Sequence, residues 1–596
     1  MNHPGAGEPL PPEPDPSAAG RDAGSGPGAT DDPVGAVPGP VGDAVAHKGG
    51  LLSSSAVMAA GTVVSRLTGF LRAAVIAAAI GLGMAGDTFN LPNTVPNMIY
   101  ILVAGGVLNA VLVPALVKAT KQDADGGEAY SQRLFSVIVT VLAVTTIAAV
   151  VAAPWIMRVI ADAAYREPER QAFFDNMVMF ARFCLPQIFF YGVYVLIGQM
   201  LNARGRFGPM MWAPIVNNVV AIGVFGAFIA ITGKRDPDEA FTTAETALLG
   251  LGSTLGVALQ ALVLLPVLRR TGFTLRFRTD WRHAGLASVG RLGLWTLALV
   301  IANQLAYVIV IRTASAGSAA GEAGASVYMN AMLIMMVPHA IITVSLATAL
   351  LPKLADHATD GNLRLVADRI DSAMRVCLAI MIPIAALLAA TAVPLAALIF
   401  NYGAASGTTR TVGLTLAALM PGLIAFTVHY LSLRGFYALQ DTRTPFLVQV
   451  WIAVAMIVNA VLVAQFAPAS QITLWLAAGF SAAYLLGSVV SLNVLRRRIG
   501  GPRPRSLLRH IGHVLIPTAL AGAAALGVVR LLDGLSDSGP LGNLVVLAVG
   551  GTIGLTLYVV TSYLLGVGAV REAIGLIAAR LGRRRSGSGP TMEGHG

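Results

Sequence analysis

The sequence predicts an all-α polytopic membrane protein of fourteen transmembrane helices, built as two six-helix lobes in parallel repeat plus two C-terminal helices. Three observations predict it. Of the 596 residues, 55% are hydrophobic and only 12% are charged, with a mean hydropathy of +0.71; a soluble chain carries about 25% charged residues. The apolar residues fall into runs of ~20 or more, the length that crosses a hydrocarbon core, separated by short polar loops. Lys and Arg concentrate in alternate loops, as the positive-inside rule requires of a multi-spanning chain.

Residues 1–48 are rich in Pro, Gly, Ala and Asp, a composition that cannot bury a core and predicts a disordered cytoplasmic tail. This tail lacks the basic and apolar regions of a signal peptide, so the first helix directs insertion. The predicted spans are 51–80, 86–119, 131–157, 172–202, 209–232 and 243–268, then 284–311, 324–356, 366–400, 411–438, 445–466 and 471–495. A last pair covers 507–532 and 541–567, and a basic cytoplasmic tail follows at 571–596. One set of loops holds Lys118 and Lys121, Arg204 and Arg206, Arg269 to Arg282, Lys353 and Arg364, Arg443, and Arg496 to Arg505. The other set is shorter or charge-balanced. Both termini are therefore expected in the cytoplasm, which demands an even number of spans.

An internal repeat accompanies this count. Val111–Gly126 resembles Thr348–Gly361, and Met200–Met211 resembles Tyr437–Val448, at nearly equal separation. A repeat of six spans returns the chain to the same side, so the halves 51–268 and 284–495 are expected as parallel lobes, with 507–567 appended.

The formal charge of +11 suggests nucleic acid only in a soluble chain. Here the cations sit between apolar spans, and topology accounts for them. Cys184 and Cys377 lie singly within spans, without the spacing of a disulfide framework or metal site. No carboxylate pair, nucleophile with its base, phosphate-cradling loop or metal-ligand cluster is present. The expectation is a non-enzyme with no catalytic residue, metal or cofactor.

Charges inside the spans carry the functional signal. An Arg at the middle of a membrane helix costs about 2.5–3.5 kcal/mol on insertion scales, so such residues face a protein interior or a wet cavity. Arg66 and Arg72 lie six residues apart on the first helix and project roughly 120° apart. Both can line a wide cavity, although Arg72 can also snorkel to the interface. Asp87 follows a Gly-rich turn, where it can cap the second helix, pair with Arg72 or take part in gating. Pro92, Pro96 and the Gly105-Gly106 pair are expected to break the second span, as befits a helix bordering a cavity or a gate. Arg182 in the fourth span and Arg312 at the end of the seventh are further candidate cavity cations, with Arg291 at the seventh span's other end. His339 and His429 lie within spans, where proton coupling and structural hydrogen bonding are both open readings.

These residues also carry a family resemblance. SRLTGFLRAAVIAAAIGLGMAGDTFNLPNTVPN followed by NAVLVPAL resembles the opening hairpin of the MurJ (MviN) lipid II flippases. LNARGRFGPMMWAPIVNN at Leu201–Asn218 and RGFYALQDTRTP at Arg434–Pro445 resemble cytoplasmic loop motifs of the same family. The resemblance covers about 51–567. It implies the fold of the multidrug/oligosaccharidyl-lipid/polysaccharide exporter superfamily. It also implies transfer of lipid II, a polyprenyl-diphosphate-linked disaccharide peptide, from the inner to the outer leaflet of the bacterial plasma membrane by alternating access, for cell-wall synthesis. The family's two first-helix arginines carry over onto Arg66 and Arg72, and its second-helix aspartate onto Asp87. Helices 13 and 14 would supply a groove for the lipid tail. Lipid II, membrane lipids and cell-wall synthesis proteins are the expected partners, and nucleic acid is not.

The chain departs from the family at three places. Ala73 stands where an acidic residue often follows the second arginine. The stretch Tyr100 to Gly105 lacks the usual basic and acidic pair, and the eighth-helix arginine falls among Met332 and Leu333. Two alternatives stand beside the flippase reading: an exporter of another lipid-linked oligosaccharide, and a non-transporting membrane scaffold for cell-wall enzymes.

Overall fold

The computed structural model describes residues 50–103, 127–233, 239–280, 291–501, 504–536, 539–568 and 570–571. Gly105, Gly106, the 1–48 tail and all but the first residue of the 571–596 tail lie outside the described residues, as does the side chain of Arg291. The long helices of the first half are α1 (Gly50–Ile80), α2 (Met84–Val103), α3 (Glu128–Val151), α4 (Pro168–Ala203), α5 (Gly208–Thr232) and α6 (Thr243–Arg269). Those of the second half are α7 (Arg291–Ala319), α8 (Ala325–Thr359), α9 (Leu363–Ala390), α10 (Thr409–Ala438), α11 (Arg443–Phe466) and α12 (Ile472–Ile499). Two more close the chain, α13 (Pro504–Leu531) and α14 (Pro540–Leu564). Thirteen of these helices are long and apolar enough to cross a membrane. The remaining one, α2, is shortened by where the described residues stop and made polar by Asp87, Asn90, Asn93 and Asn97. No strand occurs among the described residues.

Local chemistry sets the helix ends. Thr242 and Glu245 close a capping box at the start of α6: Glu245 N donates to Thr242 Oγ1 at 3.3 Å, and Thr242 N donates to Glu245 Oε2 at 2.8 Å. Asn362 caps α9 by accepting from Leu365 N. Two spans expected to be continuous are divided. Pro154 cannot supply the N–H that would extend α3, so α3 stops at Val151 and a short helix, Ala153–Ile160, begins. Pro394 accompanies the same division after α9, where Ala392–Phe400 follows. The expected break at Pro92 and Pro96 is absent: α2 runs continuously through both prolines, and the side chain of Asn93 accepts from Gln187 Nε2 of α4 at 3.0 Å. α7 runs on to Ala319, past the expected end at 311, because its last turns are rich in small residues, Thr313, Ser315 and Ser318, that bury against neighbouring elements.

Packing follows a pattern that repeats after six helices. α1 packs on α5 as α7 packs on α11; α2 packs on α4 as α8 packs on α10; α5 packs on α6 as α11 packs on α12. The short helices Ala153–Ile160 and Ala392–Phe400 occupy the same place in the two series. α13 and α14 pack on each other and against α9 and the Ala392–Phe400 helix. Close approach depends on glycines: a Cβ on Gly252 would lie 2.6 Å from Val224 and one on Gly422 would lie 2.7 Å from Ser481, the small-residue packing typical of membrane helices. Large apolar side chains such as Ile231, Phe466 and Leu531 are exposed on the outside, where lipid rather than water covers them.

The resemblance between Met200–Met211 and Tyr437–Val448 is visible in the backbone, shifted by two residues. Gly205 N donates to Asn202 O and Arg206 N to Leu201 O, each at 2.9 Å; Gln440 N donates to Tyr437 O and Asp441 N to Phe436 O, also at 2.9 Å. Both turns need a left-handed residue, Gly205 at φ 72° and Gln440 at φ 55°. Ala203 thus corresponds to Ala438. The partner segment of the other resemblance, 111–126, lies outside the described residues.

Candidate substrate cavity and its closed end

The basic loops fall at one end of the helices, which contains the α4–α5, α6–α7, α10–α11 and α12–α13 connections. Among the described residues, the substantial contacts between α1–α6 and α7–α12 gather at the opposite end: α2 with α7 and α8, α1 with the Ala392–Phe400 helix and the turn after it, and α7 with the Ala153–Ile160 helix and the turn after it. The two groups of helices are therefore clasped at the end away from the basic loops.

Asp87 is the centre of the clasp. It is fully buried in the first turn of α2, yet it caps a different helix. Its Oδ2 accepts from Ala325 N at 2.8 Å and from Ser318 Oγ at 2.5 Å, and its Oδ1 accepts from Ser326 N at 2.5 Å. The carboxylate thus sits on the N-terminus of α8, where unsatisfied N–H groups and the helix dipole favour a negative charge by up to ~2 kcal/mol in partly buried geometries. Asp87 makes no ion pair with Arg72. Tyr165 Oη is 2.8 Å from Ser318 Oγ, Asn90 Nδ2 donates to Ser326 Oγ at 2.9 Å, and Asp162 N donates to Ser315 Oγ at 3.0 Å. Gly324 leaves room for the carboxylate: a Cβ there would lie 2.3 Å from both Asp87 Oδ2 and Ser318 Oγ. A second clasp uses backbone alone. Gly403, at φ 54°, presses on the end of α1, where a Cβ would lie 2.3 Å from Ala78 O.

The arginines divide into distinct environments. Arg66 and Arg72 are half-buried on α1. Arg66 is engaged with other residues. Arg72 has a buried Nε with no hydrogen-bond partner among the described residues; Tyr191 of α4 packs 5.5 Å from the Tyr100 ring of α2. Arg312 is occupied differently from the expectation: its Nη1 donates to the carbonyls of Arg158 and Val159, each at 3.1 Å. It thereby neutralises the C-terminal end of the Ala153–Ile160 helix. Arg182 is exposed on α4, away from the face that packs against α2 and α6. Pro92 and Pro96 are buried within α2, five and nine residues beyond Asp87.

His429 and His339 are buried in the second group. His429 Nδ1 lies 3.4 Å from Ser491 Oγ. His339 opens a π-helical turn, His339–Thr343, that divides α8 after Pro338. Arg434 of α10 escaped notice in the sequence because it belongs to a loop motif. It is 4% exposed and stacks 4.2 Å from the Tyr430 ring centre. A cation–π contact is worth about 2 kcal/mol when desolvated, well short of the several kcal/mol needed to bury an ion. The clasp partners Tyr165, Ser318, Gly324 and Ser326 were also missed. The only sequence signal was a run of small residues, TASAGSAAGEAGAS at 313–326, which by itself reads as a loop. Among the described residues no group of His, Cys, Asp or Glu could hold a metal ion.

Fourteen long helices in a six-helix repeat, in two groups clasped at one end, define a polytopic helical transporter rather than an enzyme. Solved structures share the fold: one titled lipid II flippase MurJ, inward closed conformation, aligns with a TM-score of 0.66 at 15% identity over 87% of this chain and 99% of that one. An inward-facing multidrug resistance MATE family transporter aligns with a TM-score of 0.54 at 15% identity over 74% of this chain and 95% of that one. A sequence model of the family described as lipid II flippase MurJ matches residues 76–539, and the chain belongs to that family. Among its relatives, a probable lipid II flippase MurJ of Rhizobium meliloti is 29% identical over 82% of this chain and 89% of its own length. The lipid II flippase MurJ of Burkholderia cenocepacia is 28% identical over 77% and 87%.

Proposed function

We propose that this chain carries lipid II from the inner to the outer leaflet of a bacterial plasma membrane by alternating access, supplying cell-wall synthesis. The observation that supports this most directly is the one-sided closure. Helices 51–268 and 284–495 act as two lobes, shut by the Asp87 clasp at one end and, among the described residues, without substantial packing on each other at the end of the basic loops. By the positive-inside rule the basic end is cytoplasmic and both termini lie there, so the substrate enters from the leaflet in which it is made.

Arg66 and Arg72 receive the diphosphate. Guanidinium groups bind phosphate oxygens through charge-assisted hydrogen bonds, and an anionic ligand offsets the cost of holding an unpartnered Arg72 Nε inside the membrane. The headgroup crosses between the lobes while the polyprenyl tail stays in lipid, against α13 and α14. Asp87 with Tyr165, Ser318 and Ser326 forms the outer gate. Arg66→Ala and Arg72→Ala should each abolish growth rescue of a flippase-depleted strain, and should abolish headgroup transfer in vesicles holding purified lipid II, with membrane levels unchanged. Full rescue by both variants would remove the arginines from the mechanism.

A further inference from the structure

Arg66 and Arg72 serve a diphosphate only in one rotation of α1, and little holds that helix. Val63, Leu67 and Leu71 are exposed. Its main contacts among the described residues run along α5 and, at its far end, against the turn at Gly403. The seam on α5 is a stripe of small residues spaced one turn apart, Gly61, Ser65 and Gly69. A Cβ on Gly61 would lie 2.7 Å from Trp212 Nε1, and one on Gly69 would lie 3.7 Å from Asn218 Nδ2. Such a stripe brings two helices close. It interlocks few side-chain atoms, however, and so resists rotation weakly.

Asn218 of α5 supplies a directional contact on this seam. It is buried, and its Nδ2 donates to Ser65 O at 3.1 Å and to Thr68 Oγ1 at 2.9 Å. A backbone carbonyl only accepts, so the amide nitrogen is the atom that must face α1. The Thr68 hydroxyl spends its own proton on Val64 O and Ser65 O, at 2.9 and 3.0 Å, and is left to accept from Asn218. The neighbouring Asn217 turns the other way, onto α6, where a Cβ on Gly256 would lie 2.5 Å from its Oδ1. Ser65 adjoins Arg66 in the chain, and Thr68 stands one turn before Arg72 on the same face. The two hydrogen bonds therefore grip α1 between its arginines. We infer that Asn218 is a positioning residue: it locks the rotation of α1 on α5 and so sets the direction in which both arginines meet the cargo. The inference rests on the reading of Arg66 and Arg72 as diphosphate ligands, and Asn218 acts through α1 rather than on the diphosphate. The second group of helices offers a comparison. There Gln449 of α11 donates to Asn303 Oδ1 of α7 at 2.5 Å, but the nearest α7 arginine with a described side chain, Arg312, is spent on the Ala153–Ile160 helix.

The test takes two readings on the full chain. In lipid nanodiscs without substrate, single nitroxide labels at Val63, Val64, Leu67, Phe70 and Leu71 report collision with dissolved oxygen, whose periodicity gives the rotation of α1; both native cysteines are buried. In vesicles, headgroup transfer is followed against the concentration of lipid II. Asn218→Leu should shift the phase by about 20° or more, a fifth of the step between residues. It should also raise the half-saturating lipid II concentration about tenfold while the maximal rate per folded molecule is kept. Gln449→Leu should lower the unfolding midpoint and leave that concentration unchanged. An unchanged phase in Asn218→Leu overturns the inference, as does a half-saturating concentration that stays put while the phase moves, or one that rises equally in Gln449→Leu. If Asn218→Leu does not fold, Thr68→Val, which removes the hydroxyl acceptor with little change of shape, decides by the same two readings. Arg66→Ala and Arg72→Ala, measured alongside, report separately on the diphosphate reading. Normal transfer in both removes that reading and the positioning role with it, while the phase still tells whether Asn218 holds α1.

Discussion

At the scale of single residues the sharpest consequences belong to Asp87, which draws its three hydrogen bonds from α7 and α8 rather than from its own helix. Hydrogen bonds to a charged group contribute about 1.5–3 kcal/mol each. Asp87→Asn removes the charge and turns an amide N–H toward donors, so the clasp should weaken by at least about one such bond. A cysteine at Ser326 should become labelled from outside roughly tenfold more readily in that background than in the unmodified one. Gly324→Ala should do the same by steric means, and unchanged labelling in both would show that the clasp does not hold the gate. Gln440 offers a converse case. A side chain at φ 55° costs about 1–2 kcal/mol, while glycine fits freely, as Gly205 does in the matching turn. Gln440→Gly should raise the unfolding midpoint by the equivalent of up to about 1 kcal/mol after glycine's own entropy cost. Asp87 was visible in the sequence as a charge where none belongs, but its partners were not: Ser318 and Ser326 lie more than two hundred positions away and carry no charge.

Among the elements, the segment after α6 shows a loop made into a strap. Thr274 donates its hydroxyl to Glu128 at 2.6 Å, Gln132 Nε2 donates to Thr274 O at 2.8 Å, and Arg278 N donates to Ser136 Oγ at 2.8 Å. Arg133 Nε binds Asp280 Oδ2 at 2.6 Å. The hydrogen bonds from Arg278 and Arg133 hold the Asp280 carboxyl down at about 2. Because this folded value lies below the ordinary carboxyl value of ~3.9, the pair supports the docked strap at every pH above that value and is lost only as pH falls through about 2. Backbone exchange across 274–280, corrected for intrinsic rates, should therefore be flat between pH 5 and 8, and Asp280→Asn should accelerate it throughout that range. The spans themselves were legible because hydropathy and loop charge act locally. The divisions after α3 and α9 were not, since apolar periodicity ran on through Pro154 and Pro394. The expected break in α2 failed for the opposite reason: neighbouring side chains carry a helix past its prolines when they supply the polar contacts those prolines forgo.

For the molecule as a whole, the six-helix repeat in the sequence became a repeated packing scheme, but the two copies close the end away from the basic loops by different chemistry. One side is held by a carboxylate and hydroxyls; the other is a backbone contact at Gly403. While the lobes are clasped, the Asp87 charge is answered by the α8 terminus and is invisible at a distance. In the proposed transport cycle, parting the two groups of helices would strip that answer away and leave a bare anion at the mouth of the exit. In that cycle a diphosphate bound by Arg66 and Arg72 would then leave past a like charge. The residue proposed to bar the way in one conformation would become, in the next, a source of repulsion that discourages the cargo from returning.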